Sequence, residues 1–556
     1  MSRPNSLSQI HTQIMWNRLI AVVEEQAQTL IRTAFSPIVR ECGDLSAGVF
    51  DLKGRMLAQA VTGTPGHVNS MAESVKHFLR HFPIETMEDG DIYITNDPWM
   101  GTGHLNDFVL TTPCFRQGKL VGLLACTSHL MDIGGIGFGP AASDVFMEGI
   151  YIPMLKLAER GKMNQTLLAM IRANTRLPVD TEGDVYSLAA CNDVGCVRLR
   201  EMMDEFGLSD LDDLAEHIIS HSRAAVLAEI AKLPKGTWHN KMTVDGFDKP
   251  IDLVASVTVS DTGIHVDYTG TTSASAKGIN VPHAYTTAYT CFGLGCIVAA
   301  EIPNNAGSLE PLTVSAPKGS ILNAPYPLPV SSRHITGQML PDVVFGCLRQ
   351  AIPDRVPAEG TSCLWNMTFR GPSKDKPDTM YGFAVTITSN GGTGARPASD
   401  GLSATAYPSG VKGTPVEIAE SVTPLIFWRK EFRQDSAGAG RTRGGLGQVI
   451  EIESADALPV ELLAAFDRID HPPRGRDGGT DGEAGYVGLK SGKRMAGKGS
   501  QSIPPGERLV VLTPGGAGMG DPKSRPAAEI ASDLRDGLVG AEAASRLYGV
   551  TRDAAE

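Results

Sequence analysis

Asp91-Ile-Tyr-Ile-Thr95-Asn-Asp-Pro-Trp-Met-Gly101-Thr-Gly-His104-Leu-Asn-Asp107 joins an alternating apolar run to a polar, turn-rich one. The run Asp91–Thr95 predicts a strand, and Asn96–Asp107 a functional loop at its end. Working outward, Leu120–Cys126 predicts a second strand, and Ser128-His129-Leu-Met-Asp132-Ile-Gly-Gly135 follows it in the same way. Each half puts a carboxylate three residues after a histidine: His104 and Asp107, then His129 and Asp132. Two imidazoles with one or two carboxylates and an open position are the usual make-up of a hydrolytic metal site. In a glycine-flanked loop, an Asp at i+3 from a His can turn to the same point. The competing reading makes these turn residues, with Asp capping helices and His satisfied by backbone carbonyls. Two matching halves on adjacent predicted strands favour the metal.

Further out, apolar residues from Ile10 to Ile31 recur at helical spacing and predict a long helix over 9–34, stopped by Pro37. Leu45–Phe50 predicts a strand, and a second helix is expected over 68–82. The stretch 155–231 reads as mostly helical, and 242–268 alternates as strands do. Helices are expected over 284–300 and 337–351, and beyond Gly371 short apolar runs lie between glycine-rich segments. The pattern predicts an α+β fold, mixed and multi-layered, with a helical N-terminal segment and a β-rich, glycine-loop C-terminal half. The expected division is one catalytic unit over 1–525, with sub-boundaries near 235 and 371, and a helical tail over 526–556.

Composition narrows the function. The 556 residues carry 50 Lys and Arg against 62 Asp and Glu, a net charge of −12. Such a balance disfavours a nucleic-acid partner, and no basic run compensates for it. Without an apolar stretch of membrane-spanning length or a signal-like N-terminus, a cytoplasmic protein is expected. The nine cysteines form no CxxC pair, which argues against both a disulfide scaffold and a thiolate zinc knuckle. His217 and His221 have helical spacing but lack the glutamate of a metalloprotease helix, so a solvated face is the better reading. The run Gly492–Lys498 resembles a phosphate loop, yet Gly499 stands where the Ser or Thr belongs and no strand leads into it. No ATP site is expected in this chain. Arginines within the glycine clusters, Arg396 and Arg443, are candidates for holding a substrate or partner, or for a structural pairing.

The combination of segments resembles the hydantoinase B/oxoprolinase family. It is carried by Arg32–Ser36 with Asp44-Leu-Ser, Asn96-Asp-Pro, Gly103–Asp107, His129–Gly135, Asp144-Val-Phe-Met-Glu-Gly149 and Ile279–Pro282. Thr414–Glu420, Asp435–Gly440, Arg443-Gly-Gly and Thr513-Pro-Gly-Gly516 continue the series in the same order. The resemblance implies a metal site at His104, Asp107 and His129, with Asp44 as a further ligand and Asp132 as a catalytic base or an orienting carboxylate. Imidazole plus carboxylate suits Zn²⁺, Mn²⁺ or Fe²⁺. It also implies a hetero-oligomer in which a hydantoinase A-type ATPase partner uses ATP to phosphorylate the carbonyl of a cyclic amide, such as a hydantoin or 5-oxoproline. A water of lowered pKa would then open the ring at this chain's metal. The alternatives are a subunit of an acetone- or acetophenone-type carboxylase, and a non-catalytic scaffold for the partner.

Overall fold

The computed structural model describes residues 6–550, apart from positions 62 and 363; Cys363 therefore lies outside the described residues. Helices and strands are interleaved in four sheets. The first sheet carries the site. It is built from β1 (Leu45–Phe50), β2 (Met56–Gln59), β3 (Ile92–Thr95), β4 (Asp107–Arg116), β5 (Lys119–His129), β6 (Leu155–Glu159) and β7 (Lys162–Met163). Their order is β2-β1-β5-β4-β3-β6-β7, with every pairing antiparallel.

Both faces of this sheet are covered, so its central strands are buried along most of their length. Val109, Leu123 and Ala125 pack on Val68, Met71, Val75 and Phe78 of the helix Pro65–His81. The alternate residues Phe108, Leu110 and Cys126 turn to the other face, in one cluster with Ala27, Leu30 and Leu188. Those last three come from the long helices Ser6–Thr33 and Pro178–Phe206. The period of two thus decides which residue meets which helix.

The second sheet follows the helix Asp212–Ala231 and comprises β8 (Gly236–Val244), β9 (Ile251–Val259), β10 (Ile264–Asp267) and β11 (Leu312–Ser315). Strands β12 (Trp365–Gly371), β13 (Phe383–Ser389), β16 (Val460–Ala465) and β18 (Lys498–Ile503) form the third. The fourth comprises β14 (Leu425–Phe432), β15 (Gln448–Ser454), β17 (Tyr486–Leu489) and β19 (Arg508–Leu512). One apolar cluster runs from Val226 to Val511 and takes in both β8 and β12, so packing is continuous across positions 235 and 371. After 526 the chain forms the helix Ala527–Arg535 and a short turn, whose Ile530, Val539 and Tyr548 pack on Ala439.

The stretch 155–231 is mostly helical as expected, with helices Gln165–Asn174, Pro178–Phe206 and Asp212–Ala231, but it opens with the hairpin β6–β7, and β4 was not anticipated. Pro113 interrupts the strand pattern of β4. It is tolerated because β3 pairs only with residues 109–111, leaving Pro113 a neighbour on one side, Leu123.

Candidate metal centre

Strand register builds the centre. Asp107 opens β4 and His129 closes β5, directly opposite each other in the ladder. Asp44 immediately precedes β1, and its carbonyl accepts from the His129 N–H at 3.2 Å. Three neighbouring strands therefore end at one point. His104 arrives from the loop before β4, where Gly103 has φ +98° and no room for a side chain: a Cβ would lie 2.7 Å from Arg333 Cδ. His67 comes from the first turn of the helix Pro65–His81, and Arg333 and His334 from the segment after Pro329.

Asp107 is the hub. Its Oδ2 accepts from Thr102 Oγ1 at 2.7 Å, from His67 Nε2 at 3.0 Å and from Arg333 Nη2. Its Oδ1 faces His104 Nε2 at 2.6 Å and His129 Nδ1 at 3.5 Å. Although burial opposes charge on it, the His67 and Arg333 cations beside it hold this carboxylate well below the usual range. For His67, burial opposes the cation as well, but Asp107 and then Asp44 outweigh it and raise the pKa.

His104 behaves differently. Its Nδ1 lies 2.8 Å from the Ser331 carbonyl, which can only accept, so Nδ1 carries the proton. Burial, reinforced by Arg333, pushes the ring's pKa down to about 3, leaving it neutral near pH 7. The Nε2 lone pair then points at a carboxylate oxygen, one acceptor against another. In addition, His129 Nε2 is buried and has no hydrogen-bond partner among the described residues. A divalent cation held by these atoms would replace that repulsion with coordination. The donor atoms of His104, Asp107 and His129 all lie within 4.8 Å of one another, and all three residues are buried. Two imidazoles and a carboxylate fit Zn²⁺, Mn²⁺ or Fe²⁺.

Phe138 roofs the cavity, edge-on to His104 and His129 and stacked on His334. Tyr285 supports the floor beneath the Arg333 guanidinium, 4.1 Å from its ring centre. Asp44 lines the cavity too, but outside the triad; its Oδ1 accepts from Thr64 Oγ1 at 3.2 Å. The free volume is about 20 Å³, room for an ion or a water but not for a substrate ring.

Asp132 lies off this cavity. Its carboxylate accepts from the N–H groups of Gly134, Arg176 and Leu177 and from the Arg176 guanidinium, so it ties the loop after β5 to the helix Pro178–Phe206. The two His-x-x-Asp halves are therefore not equivalent: the first supplies a hub and the second an anchor. Arg396 donates to the Asp400 carbonyl within its own loop. Arg443 is buried against Asp533 and Gly444, which latches the glycine loop to the C-terminal helix. Neither arginine lines the cavity. His67, Arg333 and His334 escaped sequence reasoning; Thr64-Pro65 at a helix start was the one signal that could have moved that helix forward to include His67.

The sequence pattern of the hydantoinase B/oxoprolinase family matches residues 8–522. The chain belongs to that family. It is 28% identical over 98% of its length to a putative D-/L-hydantoinase B-type subunit of Pseudomonas sp., covering 97% of that protein. It is 29% identical over 92% of its length to 5-oxoprolinase 1 of Arabidopsis thaliana, of which it spans 42%. Among solved structures, the ATP-dependent caprolactamase of Pseudomonas jessenii superposes with a TM-score of 0.89 at 25% identity, over 99% of this chain and 98% of that one. An acetone carboxylase chain shares the fold, with a TM-score of 0.85 at 19% identity over 99% of this chain and 81% of that one. No helix among the described residues is long and apolar enough to cross a membrane.

Proposed function

We propose that this chain is the metal-bearing subunit of an ATP-dependent cyclic amide hydrolase and opens a lactam-type ring activated by a partner subunit. The observation that carries the reading is the buried, acceptor-rich convergence of His104, Asp107 and His129. Its support comes from relatives named as a hydantoinase subunit, a 5-oxoprolinase and a caprolactamase. A bound divalent cation would supply Lewis acidity and a nucleophilic water near neutral pH. The chain's own residues do the rest. Neutral His104 presents its Nε2 lone pair, and the buried Nε2 of His129 has no other partner among the described residues. Asp107 is held as an anion, and Arg333 and His67 orient its Oδ2 so that Oδ1 faces the imidazoles. Phe138 keeps bulk water from the ligands. Because the cavity takes no ring, the substrate must displace part of this lining to reach the ligands.

Asp132, Arg396 and Arg443 are assigned to holding the scaffold, and Asp44 to the cavity wall with the option of coordination on metal loading. The test is reconstitution with a hydantoinase A-type ATPase subunit and a panel of hydantoins and lactams. Ring opening should depend on ATP and be lost in His129→Ala. ATP turnover that requires bicarbonate and yields a carboxylated product would contradict hydrolysis and assign the carboxylase reading.

A further inference from the structure

The motif Asp144-Val-Phe-Met-Glu-Gly149 lines no part of the metal cluster, yet it contains a deeply buried acid without a counter-ion among the described residues. Glu148 follows a short turn, Val145–Met147, and is 3% exposed. Among the described residues it has no salt-bridge partner. Burial raises its pKa to about 8, against the opposing pull of two backbone N–H groups. Those N–H groups belong to consecutive residues: Oε1 accepts from Val330 N at 2.6 Å and from Ser331 N at 2.7 Å. Its other oxygen, Oε2, has no hydrogen-bond partner among the described residues. A lone buried acid destabilises the fold, so its value must lie in what it positions.

What it positions is on the same segment. The Ser331 carbonyl is the acceptor for His104 Nδ1, at 2.8 Å. Ser332 N is fixed to the Gly278 carbonyl at 2.7 Å, and a Cβ on Gly278 would lie 3.3 Å from Glu148 Oε1, so the anchor has little slack. Two residues beyond Ser331, Arg333 Nε donates to the Thr102 carbonyl and Nη2 to Asp107. The segment 330–333 thus sets both the tautomer of one imidazole and the orientation of the carboxylate hub.

We infer that Glu148 is a positioning residue that fixes the His104 ring, through the Val330–Ser331 peptide, with Nδ1 protonated and Nε2 free to coordinate. The inference rests on the metal reading of the centre. A ligating histidine is commonly held by a carbonyl behind it, and loss of such support typically weakens metal binding by about 10- to 100-fold.

The experiment uses the purified full chain, titrated with Zn²⁺ or Mn²⁺ alone against a chelator. In parallel, ¹⁵N shifts of the His104 ring are read in the metal-free protein and assigned by their loss in His104→Gln. Glu148→Ala should lower metal affinity by about 10- to 100-fold and turn the His104 ring from a single tautomer into a mixture. Glu148→Gln keeps an acceptor at Oε1 and should restore both readouts to within a few-fold of wild type. Should Glu148→Ala fail to fold, Glu148→Asp, whose shorter side chain cannot reach both N–H groups, carries the same expectation. A folded Ala or Asp variant with wild-type affinity and an unchanged ring signal would overturn the inference. If wild type binds neither metal, the metal reading fails. The tautomer comparison then decides the positioning role by itself.

Discussion

Asp107 and Arg333 offer a demanding test of the hub. Both side chains are buried, at 0% and 3% exposure, and Arg333 Nη2 donates to Asp107 Oδ2. Replacing one partner leaves the other charge without its counter-ion in the interior. Breaking such a pair costs about 3–5 kcal/mol, and removing both members costs much less than the sum. Asp107→Asn also deprives His67 of the anionic partner 3.0 Å from its Nε2. Arg333→Met, by contrast, leaves the Thr102 and His67 bonds to Asp107 in place. The assay is urea denaturation of the metal-free wild type, the two single variants and the double variant. Each single variant should lose about 3–5 kcal/mol, and the double should recover roughly 2–3 kcal/mol relative to additivity. The pKa of His67, raised chiefly by Asp107 against burial, should fall in Asp107→Asn, a shift read by NMR titration of the ring. Single losses that add to within about 0.5 kcal/mol would refute a coupled hub.

Gly103→Ala must adopt a left-handed backbone and push Arg333, so a loss of about 2–4 kcal/mol and weaker metal uptake are expected in denaturation and chelator competition. Glu148 predicts a pH dependence. Its carboxyl pKa is raised from 4.5 to about 8, so the folded chain keeps a proton that the unfolded chain releases. Stability is then fully present below pH 4.5 and declines as pH rises toward 8, at about 1.4 kcal/mol per pH unit from this group. Urea midpoints across that window should decline less in Glu148→Gln. Arg443→Ala should expose the segment after 526 to limited proteolysis while metal content stays at the wild-type level, since Arg443 latches Asp533 away from the cavity.

The α+β layering was legible because its signals are local. Helical spacing from Ile10 to Ile31 and the strand run Leu45–Phe50 needed only neighbouring residues. The grouping of His104, Asp107 and His129 was legible as well, although for an incomplete reason. The sequence argument relied on i+3 spacing within loops, whereas Asp107 meets His129 across the β4–β5 ladder. Spacing alone made the two carboxylates look alike, and only the family resemblance set Asp132 apart as a base or an orienting carboxylate; cross-strand register is the physical reason that Asp107 meets His129. Arg333 and His334 lie more than 200 residues from His104, in a segment with no periodic pattern, and nothing local marks them. Arg443 carried a charge in a glycine cluster, but its partner Asp533 is 90 positions away. Long-range pairing is what a single sequence conceals.

The most direct test of the central claim is elemental analysis of the purified full chain beside His104→Ala and His129→Ala. About one divalent ion per wild-type chain and none in either variant is the predicted result. Full metal content in folded variants would contradict the assignment of these histidines as ligands.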